Sequence, residues 1–345
     1  MSVLTALRPP TSALLVTRLA AEHGVTEQEC LRHTGLRGDD LRRPGTLVTG
    51  AQEIALITNV LRTLPDTTGF GMAAGVRYHA TAHGIWGYAL IASQSIRDAI
   101  EVGLRFLDLS YSFCRITAEI SDSQLSLVIE PAVTDPLIAR FVAERDIGVI
   151  TTLHRDISGP DARLHAVRLA YPEPDPDTAR TIAEILSVTP KYGCDDYAAV
   201  FDLSVVDDPL PLADPYTAEQ INRQCRELAA QRRALTGTAG QVRDVLFTQP
   251  RGPLTEPEVA AALHLSTRSL RRRLAAEGHS YRSLLDEVRN TLACELLSGT
   301  DLPTATIADR LGYSESASFT RAFQRWNGLS PLRWRKAQRE ALTSQ

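Results

Sequence analysis

Lysine is nearly missing from this chain. Lys191 and Lys336 are its two lysines, so almost all of its 37 basic residues are arginine. The bias reads as a GC-rich coding sequence rather than as mechanism. Long apolar runs are missing too, and none approaches the roughly 20 residues that a membrane span needs. The N-terminus, MSVLTALRPPTSALLVTRLA, interrupts its apolar stretch with Arg8, Pro9 and Pro10 and has no secretory leader pattern, so the expected residence is the cytoplasm. The five cysteines, Cys30, Cys114, Cys194, Cys225 and Cys294, are dispersed, with no C-x-x-C and no histidine at ligand spacing. That pattern excludes a disulfide framework and a zinc knuckle and predicts free thiols. No tight Lys/Arg cluster flanks any of them, which argues against a redox sensor. A Gly-rich phosphate loop, a G-x-S-x-G elbow and a recognisable Cys-His or paired-carboxylate spacing are all lacking. His154-Arg155-Asp156 copies three letters of a kinase catalytic loop without the asparagine that should follow. No catalytic site, cofactor or metal is expected.

What is present is unevenly charged. Residues 236–345 carry 15 Lys+Arg against 11 Asp+Glu, or +4; the chain totals 37 against 41, which leaves 22 against 30, or −8, for residues 1–235. An acidic front and a basic back predict different partners for the two parts. The front reads as α+β. Helices are expected over 12–23, 26–34 and 49–64, with Ser12 and Thr49 as N-caps and Pro65 as a stop. A Gly-rich, loop-like stretch 69–87 precedes helices 85–93 and 95–110. Alternating apolar residues over 113–120 and 124–129 give a hairpin, a long helix occupies 135–157, and short strands at 166–170 and 198–203 flank a helix near 177–187. In the helix 215–235, Ile221, Cys225, Leu228 and Leu235 form a seam interrupted by Arg232. It suits packing on its own domain or a contact with a second copy. The small-residue stretch TGTAG, 236–240, reads as the linker.

Beyond it the pattern is all helical. Pro257 suits the first turn of one helix; Ser266 caps another that ends at Gly278. On this second helix Arg268, Arg271 and Arg272, with Thr267 beside them, sit three and four apart on a shared face. A long helix, 281–297, leads to 304–311, a turn at Gly312, and the helix 316–326 with Phe319 and Phe323 as core anchors and Arg321 and Arg325 four apart. Ser330 and Pro331 open a last helix, whose N-terminal amides suit a phosphate. Arginine can pair both acceptors of a guanine edge and also holds phosphates. One Arg-rich helix alone would read as solvated surface. Two, each behind a short helix and a tight turn, predict DNA binding.

The residues S-T-R-S-L-R-R-R-L, E-G-H-S-Y and R-N-T-L-A-C-E-L-L, followed by I-A-D-R-L-G-Y-S-E-S-A-S-F-T-R-A-F-Q-R-W-N-G-L-S-P-L-R-W-R, resemble the DNA-binding domain of the AraC/XylS family of bacterial transcription regulators. The resemblance covers 240–338, with helix-turn-helix segments at 257–278 and 305–328. It implies base-facing positions at Arg268, Arg271 and Arg272 in the first unit and at Ser316, Ala317 and Arg321 in the second. Where the family carries glycine in the first turn this chain has His264, which predicts some strain there. The short Ser316 and Ala317 predict that the second unit reads few bases and that the first supplies more of the discrimination.

The stretch GFGMAAGVRYHATAHGIWGYALIASQSIRDAIEVGLRFLDL resembles the arabinose-binding-type N-terminal domain of one branch of that family, which includes ornithine-utilisation and fatty-acid-responsive regulators. The resemblance implies a small-molecule effector, a fatty or amino acid being one expectation, with Arg77, Tyr78, His79 and His83 as candidate contacts. His79 and His83 are four apart, but no carboxylate at ligand spacing supports a metal. The expected architecture is an α+β effector and oligomerisation domain, 1–235 (core about 20–205, then the helix 215–235), and an all-α DNA-binding domain, 241–340, with two helix-turn-helix units joined by a long helix. The expected function is transcription regulation, as an activator by family analogy, with double-stranded DNA, RNA polymerase and a second copy as partners. The alternatives are an enzyme with a DNA tether and a helical protein that binds an acidic partner.

Overall fold

In a computed structural model, residues 4, 6–121, 123–235, 237–247, 255–300, 302–313 and 315–336 are described. The chain divides into two bodies, one built from Leu7–Val133 with Leu137–Arg232 and one from residue 233 onward.

The front body is α+β. Helices α1 (Thr11–Glu22), α2 (Glu27–Leu31), α3 (Gly38–Arg42) and α4 (Gly50–Thr63) come first, with the two-residue strands β1 (Leu7–Arg8) and β2 (Val48–Thr49) paired antiparallel. Thr49 caps α4 in a capping box with Gln52. Ser12 is no cap: α1 starts earlier, behind Pro10, and the Ser12 hydroxyl is buried against Glu53 and the Tyr78 hydroxyl. The stretch expected to be loop-like holds helix α5 (Phe70–Gly75) and a 3-10 turn at Ala80–His83, then α6 (Ile85–Ile91). Its glycines serve close packing. A β-carbon on Gly71 would stand 2.4 Å from the Phe141 carbonyl oxygen, and one on Gly75 2.2 Å from that of Arg145. Both carbonyls belong to helix α8 (Pro136–Ser158), which buries residues around its whole circumference and is the spine of this body. Helix α7 (Ile96–Arg105) stops short of its expected end, a 3-10 turn at Leu107–Leu109 taking over.

The hairpin forms as β3 (Cys114–Ile120) and β4 (Gln124–Pro131), with Ile116 opposite Ile129 and Ala118 opposite Leu127. Strands β5 (Ala166–Arg168) and β6 (Tyr197–Asp202), separated by α9 (Pro176–Leu186), complete a four-stranded antiparallel sheet in the order β3-β4-β6-β5. Helix α10 (Pro215–Leu235) buries Ala218, Cys225 and Ala229; the Cys225 thiol faces the Ile85 carbonyl and Arg232 donates to the carbonyls of Asp108 and Leu109. Of the expected seam, Cys225 is packed on its own body, while Ile221 and Leu228 are half-buried and the buried row runs through Ala218, Cys225 and Ala229. The side chain of Leu235 lies outside the described residues.

The back body is all helix: α11 (Gly237–Phe247), α12 (Glu256–Ala262), α13 (Thr267–Ala276), α14 (Tyr281–Gly299), α15 (Thr304–Arg310) and α16 (Ser316–Asn327), with residues 331–336 helical after them. The stretch 236–240 was expected to be linker, yet it is helix from Gly237 on. The Glu277 carboxylate accepts from the amides of Thr238 and Ala239, each at 2.8 Å, and supplies the cap that the small residues lack. Ala239 is buried in the core. Thr236 and the expected domain end at 340 fall outside the described residues.

Helix α14 is shared by two small cores. Its Leu284 and Val288 pack with Val242, Val259, Leu270 and Leu274, while its Ala293 and Leu297 pack with Ile307, Leu311, Phe319 and Phe323. Within each pair the residues are four apart and share a face, but nine residues, about half a turn, separate the pairs, so opposite faces of a single helix organise the two units. At about 1.5 Å per residue its 19 residues span roughly 28 Å.

Candidate nucleic-acid interface and effector cavity

Each unit of the back body is a short helix, a tight turn and a second helix. In the first, α12 starts at a capping box between Thr255 and Glu258, and Ser266 caps α13 by accepting from the Ser269 amide at 3.1 Å. The two turns share one hydrogen-bond pattern. His264 donates to Ala261 (3.0 Å) and Leu265 to Ala260 (2.8 Å); Gly312 donates to Asp309 (2.9 Å) and Tyr313 to Ala308 (2.9 Å). The middle residue is left-handed in both, with φ +54° at His264 and +73° at Gly312. The histidine therefore holds a conformation that suits glycine, as its place in the sequence predicts.

The second helices differ in how free their arginines are. On α13, Arg268 and Arg272 are exposed and make no ion pair among the described residues. Arg271 is also exposed, but both sides of its guanidinium lie on Glu256 of α12, at 2.8 and 2.7 Å. Glu256 is held below the usual carboxylate range by that hydrogen bond, and Arg271 is raised by it. The three arginines expected to act together are thus two free and one engaged. Thr267, at the first position of α13, is half-buried. On α16, Ser316 is half-buried and Ala317 exposed, Arg321 reaches Ser318 at 3.1 Å, and Arg325 pairs with Asp286 of α14 at 3.2 Å. Ser330 accepts from the Trp334 amide through its carbonyl, at the start of the last helix.

Two residues that sequence reasoning passed over hold the second unit. Arg289 of α14 donates to the carbonyls of Leu311 (3.0 Å) and Gly312 (3.2 Å) and lies 4.4 Å over the Tyr313 ring. Asn327 donates to Asn290 at 2.6 Å. Arg289 is the first residue of the quoted R-N-T-L segment, but its target, a turn more than twenty residues away, leaves no local signal. The α14–α16 groove carries Arg282, Arg289, Arg321 and Arg325 against Asp286, and encloses about 540 Å³. Its positive balance suits an anionic backbone.

In the front body the four candidate effector contacts do not converge. Arg77 points outward and forms a two-pronged pair with Glu22 at 2.7 and 2.6 Å; His79 points outward to Asp156 at 3.0 Å. Tyr78 and His83 point inward and are buried. A single polar lip made of all four is therefore not what the chain builds, because successive residues of this stretch face opposite sides.

The cavity lies elsewhere, between the sheet and helices α6, α7 and α8. Its larger chamber, about 80 Å³, is lined by Trp86, Leu90, Leu104, Ile150, Phe201 and their apolar neighbours, with His154 as its one ionisable group. An adjoining chamber of about 50 Å³ shares Trp86, Leu107, Ile116, Ile150 and Leu153 with it and adds Tyr78, His83, Ser112, Arg145 and Asp146. Both exceed the space that one water needs. Burial drives His83 down to about 3, helped by the Arg145 charge, and His154 down to about 4, helped by Arg155. Both imidazoles are neutral at pH 7. Arg145 is fully buried; burial opposes its charge, but the carboxylates of Asp146 and Glu53 keep it ionised. Among the described residues, no group of three or more His, Cys, Asp or Glu side chains could hold a metal.

Comparison with known proteins gives these features a family. Residues 24–210 match the arabinose-binding domain of AraC transcription regulator, N-terminal, and residues 259–337 match a helix-turn-helix domain family. The chain is 30% identical over 94% of both lengths to an uncharacterized HTH-type transcriptional regulator of Mycobacterium tuberculosis. It is 30% identical, over 96% of its own length and 97% of the other, to the ornithine utilization regulator of Pseudomonas aeruginosa. A crystal structure of the transcriptional regulator CdpR from Pseudomonas aeruginosa aligns over 94% of this chain and 98% of that one, with 22% identity and a TM-score of 0.46. With an arabinose-binding-type front domain and a double helix-turn-helix behind it, the chain belongs to the AraC-type transcription regulators.

Proposed function

We propose that this DNA-binding regulator reads its operator mainly through Arg268 and Arg272 of the first unit, while Arg321 and the positively charged α14–α16 groove hold the second unit on the neighbouring turn. The observation that carries the reading is the contrast in arginine engagement. Arg268 and Arg272 are free to bond base edges, whereas Arg271 and Arg325 already hold carboxylates. Arg271 then acts by bracing α13 against α12, and Ser330 by presenting helix amides to a phosphate. Gel-shift titration of Arg268→Ala, Arg272→Ala and Arg271→Ala tests this. The first two are expected to lose about 1–3 kcal/mol on the operator and little on unrelated duplex, and Arg271→Ala to lose less selectivity than either. Equal loss for Arg268→Ala and Arg272→Ala on every duplex would reassign both to phosphates.

We infer further that the effector occupies the cavity between the sheet and α6–α8. Its apolar lining favours a hydrocarbon-bearing ligand such as a fatty compound over an amino acid. The name of the Pseudomonas relative does not carry over to this cavity, because ornithine brings two ammonium groups and the one carboxylate here, Asp146, already holds Arg145 and Ser112. A shift in the front body's population on binding would alter operator affinity. Activation through RNA polymerase in the cytoplasm fits this class of regulator. Pairing of two copies is favoured by the exposed Leu212, just before α10, and Tyr216 in its first turn.

A further inference from the structure

The cavity's polar end contains a group with no partner. His83 is 7% exposed, and neither of its ring nitrogens has a hydrogen-bond partner among the described residues. Its neighbours are all engaged. The Tyr78 hydroxyl meets Ser12 at 2.7 Å, the Tyr111 hydroxyl donates to Ala82 at 3.3 Å, and Ser112 is bonded to Asp146. Leaving a buried polar group unpaired is expensive, and His83 leaves two ring nitrogens unpaired where His154, in the apolar chamber, leaves one, so His83 is the stronger call for a bonding partner.

The surrounding charge limits what that can be. Arg145 is the one cation lining this chamber among the described residues, and all three of its nitrogens are engaged: Nε with Asp146 (3.4 Å), Nη1 with Glu53 (3.3 Å) and Nη2 with the Tyr111 carbonyl (2.7 Å). Arg8 lies behind it, 3.7 Å from Glu53. Two arginines and two carboxylates cancel. A carboxylate head would bury an unmatched negative charge, and an ammonium head an unmatched positive one. A hydroxyl or carbonyl adds no charge and can bond a neutral imidazole, which has one donor and one acceptor.

We propose that the effector is an elongated apolar molecule with an uncharged hydrogen-bonding head, a hydroxyl or a carbonyl, that bonds His83 while its chain fills the adjoining apolar chamber. This rests on assigning the cavity as the effector site and narrows that assignment to a head-group class. It also replaces the expectation that Arg77, Tyr78, His79 and His83 contact the effector together.

Calorimetric titration of the full chain at pH 7.5 with a matched ten-carbon series tests it: 1-decanol, 2-decanone, decanoate and decylamine. The neutral pair is expected to bind at least about tenfold more tightly than either charged member, a difference of about 1.4 kcal/mol. The ranking within the neutral pair tells hydroxyl from carbonyl. His83→Phe, which keeps a ring among Tyr78, Trp86 and Tyr111, is expected to lose about tenfold for the neutral pair. His83→Gln, which keeps a donor and an acceptor, is expected to restore part of it. Decanoate or decylamine binding as tightly as decanol would overturn the neutral head, as would a His83→Phe variant that folds and binds decanol unchanged. No binding by any member, or binding undiminished in Leu104→Trp, which fills the apolar chamber, would overturn the cavity assignment itself and the head-group class with it.

Discussion

A single β-carbon separates the two turns of the DNA-binding body. His264 and Gly312 have the same hydrogen bonds and the same sign of φ. His264→Gly should stabilise the first unit by roughly 0.5–1 kcal/mol, the left-handed penalty less the chain entropy that glycine gives up. His264 is exposed, so little packing is lost in exchange. A urea midpoint equal to or below wild type would show that the histidine has a role the turn does not explain. The His264 conformation was legible in the sequence because one position of a repeated motif carried the wrong residue for its backbone. The place of His83 was not. A histidine in a Gly-rich stretch looks the same whether it faces solvent or a cavity, and only the packing of α6 and α8 decides. Its burial makes a pH prediction. With folded-state values of about 3 for His83 and about 4 for His154 against an ordinary 6.5, each contributes stability that is complete above pH 6.5 and lost as pH falls. Glu144 has the opposite sign. Burial raises it to about 7, so its contribution is present below its ordinary 4.5 and lost as pH rises. Between pH 4.5 and 6.5 one histidine is offset by Glu144. Wild type should lose about 1.4 kcal/mol per pH unit on acidification, and His83→Phe should be nearly flat. Parallel profiles from urea titrations at several pH values would contradict this.

At the scale of elements, caps and close contacts decide which sequence expectations survive. Thr49 and Ser266 are caps because each has an amide three residues on to satisfy, and both were legible. The start of α11 was not, because its cap comes from Glu277 on the far side of α13. Glu277→Ala should therefore unwind the start of α11 and cost about 1 kcal/mol in the back body. Amide exchange at Thr238 and Ala239 as slow as in wild type would rule that out. The glycines of α5 behaved in the same way. A run of glycine reads as loop, yet Gly71 and Gly75 are helical because α8 passes too near for a side chain. Gly75→Ala should destabilise the front body by about 1–3 kcal/mol through overpacking, seen as a lower melting temperature. In the back body Arg289→Ala should loosen the second unit by about 1–2 kcal/mol, since two turn carbonyls lose a charged donor. Hydrogen exchange should show faster opening at Gly312 and Tyr313.

For the whole molecule, the double motif with its Arg-bearing second helices was legible because each unit carries its own turn and periodic core residues, and the first its own side-chain caps. The effector site was not, because its walls come from α6, α7, α8 and three strands that are distant in sequence. We propose above all that two units, organised by opposite faces of α14, read two adjacent major-groove segments, with most of the discrimination in the first. Selection of bound duplexes from a random pool, run with wild type, Arg268→Ala and Arg321→Ala, measures this directly. The expected result is two enriched blocks centred about one helical turn apart, roughly 10–10.5 base pairs. The stronger block should be erased in Arg268→Ala, and the weaker one dimmed in Arg321→Ala. A single enriched block, or a stronger block that survives Arg268→Ala and vanishes in Arg321→Ala, would contradict it.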